Sequence, residues 1–145
     1  MLKKLDHATF VVRNLEDAVK TFEQVLYLSP LKGGPEGLEE ARIAMLPTAA
    51  GARIELIEPN PAIETRFTRW LDERGEGVFG LSMFIDNFEE EVARLRAEGF
   101  SIEEEIGRVH ANPFRIAWIP PTEGHGVWIE LVEWEALPDP IKNAL

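Results

Sequence analysis

The feature that most constrains this chain is that it repeats itself. His7-Ala8-Thr9-Phe10-Val11-Val12 finds its match in Gly80-Leu81-Ser82-Met83-Phe84-Ile85, 73 positions later, and each stretch runs on to an Asn and an acidic segment. Arg42-Ile43-Ala44-Met45-Leu46-Pro47 lies over Arg115-Ile116-Ala117-Trp118-Ile119-Pro120 at the same spacing of 73. Arg53-Ile54-Glu55-Leu56-Ile57-Glu58 lies over Trp128-Ile129-Glu130-Leu131-Val132-Glu133 at a spacing of 75, so a short loop insertion separates the two copies of the last strand. Two copies of one plan, with apolar residues at matching places, read as two similar modules, each with one helix over one face of its sheet, and two such modules side by side enclose a concave cavity.

Within a copy the periodicity changes from two to 3.6 and back. Residues 5–12 alternate and are rich in β-branched and aromatic types, the mark of a strand. Asn14 with Asp17 resembles a capping box, and Leu15, Ala18, Val19, Phe22, Val25 and Leu26 recur at helical spacing. Pro and Gly crowd residues 28–38, a loop flanking a short, poor strand. Strands follow at 42–46 and 52–58. The second copy has a strand at 78–85, a helix from Asn87 with Glu90 as capping partner, a strand near 102–105, and strands at 114–119 and 127–133. Between the copies, Asn60-Pro61 marks a helix start, and Ile63, Phe67, Trp70 and Leu71 line that helix before Gly75. The expected fold is α+β: tandem βαβββ modules forming a cupped sheet. A single domain of residues 1–145 is made of modules at about 1–60 and 76–134, a linking helix at about 61–74, and a tail from Ala136 to Leu145.

Composition excludes several partners. A net charge of −11 disfavours the phosphate backbone of nucleic acid and an anionic membrane. Cysteine is absent, which removes disulfides and thiolate chemistry. No apolar run is long enough to span a bilayer, and strand-like sequence begins too early for a secretory signal. A cytoplasmic protein is the expectation.

Strand alternation then groups the chemistry. If Phe10, Ile54, Leu56, Ile129 and Leu131 pack under the helices, His7, Thr9 and Glu55 turn to the other face of the first module. Ser82 and Glu130 do the same in the second. One imidazole and two carboxylates from equivalent strands form a plausible donor set for a divalent cation, since a carboxylate turned into a cavity needs a compensating charge. Taken singly, each residue also reads as an ordinary half-buried side chain. The fourth equivalent position is Gly80, which offers no donor. Thr9, Ser82 and His125 are candidate substrate-lining residues. His125 and His110 lie in loops of the second module, either as substitutes for the absent donor or as exposed loop histidines.

With these residues in place, the chain resembles the vicinal oxygen chelate superfamily, which includes glyoxalase I, methylmalonyl-CoA epimerase, extradiol dioxygenases and antibiotic-resistance proteins. The resemblance covers nearly the whole chain. The run Arg74-Gly75-Glu76-Gly77 before a strand is similar to the epimerase branch, and His125-Gly126-Val127-Trp128-Ile129-Glu130-Leu131 to the closing strands of glyoxalases and epimerases. The resemblance implies metal ligands at His7, Glu55 and Glu130, with Gly80 a departure at the fourth place. It also implies a divalent metal (nickel, cobalt, manganese, magnesium or zinc) that polarises a substrate carbonyl while Glu130 or Glu55 removes the adjacent proton. A homodimer is expected on the same basis.

Three functions follow. The first is a metal-dependent lyase or isomerase acting on a small thioester or hemithioacetal. The second is a metal-free protein of the same fold that binds or sequesters a small molecule, which loss of a ligand at Gly80 favours. The third is a dioxygenase, disfavoured because that chemistry uses two histidines with one carboxylate.

Overall fold

Alternation and helical spacing become elements as follows, in a computed structural model that describes residues 2–32, 39–109 and 112–137. In chain order these are β1 (Leu2–Val11), α1 (Leu15–Leu26), β2 (Ala41–Pro47), β3 (Arg53–Pro59), α2 (Arg66–Arg74), β4 (Gly77–Ile85), α3 (Phe88–Ala97), β5 (Glu103–Val109), β6 (Asn112–Ile119) and β7 (Trp128–Glu133). The fold is α+β, as expected. The short strand anticipated within 28–38 falls largely on residues 33–38, outside the described ones; Leu31 N–H donates to the Met45 carbonyl at 2.8 Å. The described residues form two compact units. One is His7–Phe79, and the other joins the start of the chain, up to Asp6, to Gly80 and beyond.

In the unit His7–Phe79, β2 pairs antiparallel with β3, and β3 parallel with β1. Ala44, Leu46 and Leu56 are buried against Phe10, Leu15, Ala18, Val19, Phe22 and Ile54, so α1 covers the face carrying the even-numbered residues of these strands. Phe10 and Phe22 meet edge to face at 5.3 Å. Asn14 Oδ1 accepts the Asp17 N–H at 2.9 Å, and Glu16 and Asp17 place negative charge at the positive end of the helix. The linking helix starts later than Asn60-Pro61 suggested. Thr65 is its N-cap, and Thr65 and Thr68 satisfy each other's backbone N–H groups. Phe67 and Trp70 pack on Phe79, with ring centroids 4.8 and 5.2 Å away. Beyond Gly75, whose φ of +77° suits only a residue without Cβ, Glu76 Oε1 accepts the Arg13 N–H at 2.7 Å. Glu76 therefore ties the strand-leading turn to the end of β1.

In the second unit β4 pairs parallel with β7, β7 antiparallel with β6, and β6 antiparallel with β5. Phe88 and Val92 of α3 are buried with Ile85, Ala117, Ile119 and Leu131, and Met83 and Ile129 lie against them. The capping box expected from Asn87 and Glu90 is not formed. Asn87 is left-handed at φ +52° and makes no side-chain cap; its N–H donates to Glu135 Oε1 at 3.1 Å. A partner far along the chain has replaced the local one.

Each unit carries the same ionic brace on its helix-covered face. Arg42 Nη2 bonds Glu58 Oε2 at 2.7 Å and Nη1 bonds Glu16, while Glu58 accepts the Leu15 N–H at 2.6 Å. In the second unit Arg115 Nη2 bonds Glu133 Oε1 at 2.7 Å and Nη1 approaches Glu89 Oε2 at 3.7 Å. The brace joins strand pairs to the start of the helix above them. The Arg115 hydrogen bond holds the Glu133 carboxyl below the ordinary carboxylate range against a smaller opposing effect of burial. A depressed carboxylate pKa stabilises the fold above the unfolded-state value and loses that contribution as pH falls through the folded-state value. Arg115→Met should therefore lower stability at pH 7 by under about 1 kcal/mol, because solvent screens the pair. The deficit should close near pH 3. Urea denaturation at the two pH values measures it.

Candidate active site

With α1 covering one face of β1 and β3, the intervening residues occupy the other. His7, Thr9 and Val11 stand there in register with Arg53, Glu55 and Ile57. Thr9 is buried at 4% exposure, and its hydroxyl donates to Glu55 Oε2 at 2.7 Å. His7 Nε2 lies 3.3 Å from the same oxygen, with only 11% of the imidazole and 15% of the carboxylate side chain exposed. Burial alone would push the Glu55 pKa up. The charge and hydrogen bond of His7, the Thr9 hydroxyl and the charge of Arg53 together outweigh burial and leave it below its ordinary value. Glu55 is thus a buried carboxylate held in its ionised form by its neighbours.

The second unit repeats the arrangement with different side chains. Gly80, Ser82 and Phe84 of β4 are in register with Trp128, Glu130 and Val132 of β7, on the face opposite α3. Trp118 of β6 flanks Glu130 from the other side. Its ring nitrogen donates to Glu105 Oε1 at 2.8 Å, and its ring meets Trp128 edge to face at 6.1 Å. Ser82 is 1% exposed, and its Oγ has no hydrogen-bond partner among the described residues. Gly80 stands at the place His7 takes in the first copy, and the space there is closed. A Cβ there would lie 2.7 Å from the Trp128 carbonyl oxygen and 3.2 Å from the Trp128 Cβ.

The structure therefore gathers His7, Thr9 and Glu55 in one unit, and puts Ser82 and Glu130 side by side in the other. His125 is exposed, at φ +54°, in the turn leading to β7. His110 lies outside the described residues. No group of three or more His, Cys, Asp or Glu side chains is assembled as a metal site among the described residues. What is assembled is a pair: an imidazole nitrogen and an ionised carboxylate oxygen, the donor chemistry that borderline divalent cations accept. The pair fits part of a cation site. Arg53, two residues before Glu55 and on the same face, is an ionic partner the sequence already offers it, and its charge lowers the Glu55 pKa. Sequence reasoning missed one neighbour. The obstruction by Trp128 has no sequence signal, because it comes from backbone proximity across strands. Arg66, Arg69, Arg94 and Arg96 are the scattered basic residues that a coenzyme A thioester could call on for its phosphates; of these, Arg69 bonds Glu64, Arg94 bonds Glu91 and Glu98, and Arg96 bonds Glu104. Among the described residues no helix is long and apolar enough to cross a membrane.

A pair of β-α-β-β units, each with a parallel join between its first and last strands and a polar face opposite its helix, defines a class of small α+β proteins. The match to known families agrees. The model of the Glyoxalase/Bleomycin resistance protein/Dioxygenase superfamily matches residues 6–118, and the chain belongs to that superfamily. Its glyoxalase-like fold follows. A curated relative, the uncharacterized protein YqjC of Bacillus subtilis (strain 168), is 30% identical over 133 residues, covering 91% of this chain and 93% of the relative. The crystal structure of methylmalonyl-CoA epimerase from Mycobacterium tuberculosis is similar at a TM-score of 0.74 and 28% identity, over 91% of this chain and 88% of that one. A Streptomyces coelicolor methylmalonyl-CoA epimerase variant in complex with 2-nitronate-propionyl-CoA is similar in fold, with a TM-score of 0.74 at 24% identity over 92% of this chain and 98% of that one.

Proposed function

We propose that this protein is an epimerase- or lyase-like enzyme. It would move a proton at the carbon next to the carbonyl of a small thioester or hemithioacetal, with a divalent cation held by His7 and Glu55. The observation that carries the proposal is the buried Glu55 carboxylate, kept ionised by His7 and Thr9 rather than neutralised by its burial. An ionised buried carboxylate beside an imidazole is costly to keep unless it has work to do. When bound, the cation supplies an electrophile that makes the neighbouring carbon acidic.

The two carboxylates take different parts. Glu55, fixed by two donors, stays charged and stationary, which suits holding a cation. Glu130, whose strand neighbour is a hydroxyl and whose imidazole counterpart is replaced by Gly80, is assigned to removing and returning the proton. Support for an epimerase-like reaction comes from the likeness to the methylmalonyl-CoA epimerase from Mycobacterium tuberculosis. Self-association to a homodimer is part of the reading, and exposed Val25, Leu26 and Tyr27 at the end of α1 are apolar surface it could cover.

A second reading is a metal-free protein that binds a small molecule. The closed position at Gly80 favours it, because a donor place has been filled by backbone. Elemental analysis of protein purified without an affinity tag separates the two, followed by assay with methylmalonyl thioester and with methylglyoxal hemithioacetal. Stoichiometric divalent metal and turnover of either substrate are expected. Metal-free protein that turns over neither substrate, even after metal is added back, would leave the binding protein as the better account.

A further inference from the structure

We propose that the second unit holds a subsite for a small organic cation, an alkylated ammonium with a neutral hydroxyl or carbonyl a few bonds away. The corner made by Trp118 and Trp128 takes the ammonium, and Ser82 takes the neutral group. The subsite lies wholly on β4–β7 and needs no metal at His7 and Glu55.

The face opposite α3 divides in two. At one end Phe84, Val132 and Leu137 are buried together, with Phe114 and Trp134 against them. At the other end stand the two indoles. Their rings meet at 89° with centroids 6.1 Å apart, so they form two walls of a corner. Trp118 is the buried wall, at 6% exposure, while Trp128 is half-buried and still reached by solvent. The negative face of an indole attracts a cation within about 6 Å of its centre, and quaternary ammonium groups are recognised in this way.

Charge selects the sign of the ligand. Glu105 accepts the Trp118 ring N–H at 2.8 Å, which brings a carboxylate to the edge of the corner. Glu130 stands in register between Ser82 and Trp118, and Glu103 is in register with Trp118 from the other side. Among the described residues of these four strands, the positions on this face hold no lysine or arginine. Arg115 lies on the reverse face with Glu89 and Glu133. The carboxylates act through their charge, whatever else each one touches. An anion would be repelled here, and a cation is drawn in.

The independent sign of a ligand is the Ser82 hydroxyl. Ser82 is 1% exposed and turned to this face, and its Oγ has no hydrogen-bond partner among the described residues. A buried hydroxyl left unpaired is costly, and alanine would remove the cost with the loss of one oxygen. Thr9, its counterpart in the first copy, avoids the cost by bonding Glu55 at 2.7 Å. A hydroxyl or carbonyl on a ligand gives Ser82 the partner it lacks. Ser82 is two residues along β4 from Gly80, the strand partner of Trp128. Hydroxyl and indole are thus separated by roughly 7 Å along the strand, a distance one small molecule spans.

Calorimetric titration of the whole protein with choline, with tetramethylammonium and with neutral dimethylbutanol, the isostere of choline with carbon in place of nitrogen, tests the proposal. Choline is expected to bind about tenfold more tightly than the neutral alcohol. Trp128→Leu should remove that preference. Glu105→Gln keeps an acceptor for the Trp118 N–H and removes only the charge, so it should weaken choline by about threefold. Ser82→Ala should weaken choline by about fivefold and leave tetramethylammonium, which has no hydroxyl, unchanged. Choline and the alcohol binding within twofold of each other, or neither binding at millimolar concentration, would overturn the subsite. Ser82→Ala weakening both ammonium ions equally would overturn the part given to the hydroxyl.

Discussion

On the proposed reading, His7→Ala should empty the protein of divalent metal and lower turnover by a hundredfold or more, of the order expected when a ligand and the electrophile it holds are lost together. Two effects combine. The substitution removes a nitrogen donor, and it removes the largest influence that keeps Glu55 charged. With His7 gone, burial governs Glu55 and raises its pKa, and a protonated carboxyl is a poor ligand. Breaking a buried pair by deleting one partner costs about 3 kcal/mol. The sign of the pH dependence follows. In the wild type the depressed Glu55 pKa contributes stability above the unfolded-state value near 4.3, and that contribution disappears as pH falls through the folded-state value. In His7→Ala the raised pKa reverses this, so the variant loses ground as pH rises. The stability gap between the two proteins is therefore wide at pH 7 and narrow near pH 4. Metal content by elemental analysis and denaturation at both pH values check the claim. A His7→Ala protein that keeps a full complement of metal would show that the imidazole is not a ligand.

Gly80→Ala should cost about 2 kcal/mol, in the range of overpacked core positions, and Gly80→His at least as much. The obstacle is the Trp128 carbonyl oxygen, 2.7 Å from where the Cβ must go. It belongs to the strand paired with Gly80 and cannot swing aside as a side-chain tip could. Placing a histidine at Gly80, the fourth ligand place that the resemblance implies, should therefore fail to tighten metal binding, although the repeat suggests it as the simplest change. Urea denaturation and cobalt titration of Gly80→His decide the matter. Native stability with tighter cobalt binding would mean that β4 and β7 can part more easily than their register implies.

Much of this was legible in the sequence. The repeat spacing of 73 made Thr9 and Ser82 equivalent, and strand alternation put Thr9 on the same face as Glu55 and Ser82 on the same face as Glu130, while their direct register across the strands came only from the structure. The helix-covered faces were likewise set by Phe10, Leu56, Ile129 and Leu131. What escaped was fixed by partners distant in the chain. Asn87 looked like Asn14, yet Glu135 took over its cap. Asn60-Pro61 looked like a helix start, yet the reciprocal bonds of Thr65 and Thr68 set the boundary at Arg66. Gly80 read as a missing ligand, and only the Trp128 backbone reveals that the vacancy is sealed. The orphaned Ser82 hydroxyl has no sequence signature, since its Thr9 counterpart is satisfied.

The Arg42–Glu16–Glu58 and Arg115–Glu89–Glu133 clusters are anchored entirely within their own halves, on the reverse side of the strands that bear His7, Glu55 and Glu130. Anchorage and chemistry thus draw on alternate residues of the same strands. After a duplication, the chemical set could drift in one half, trading histidine for glycine, while the fastenings stayed fixed in both. Architecture of this kind lets a lineage try new substrates without first rebuilding its frame.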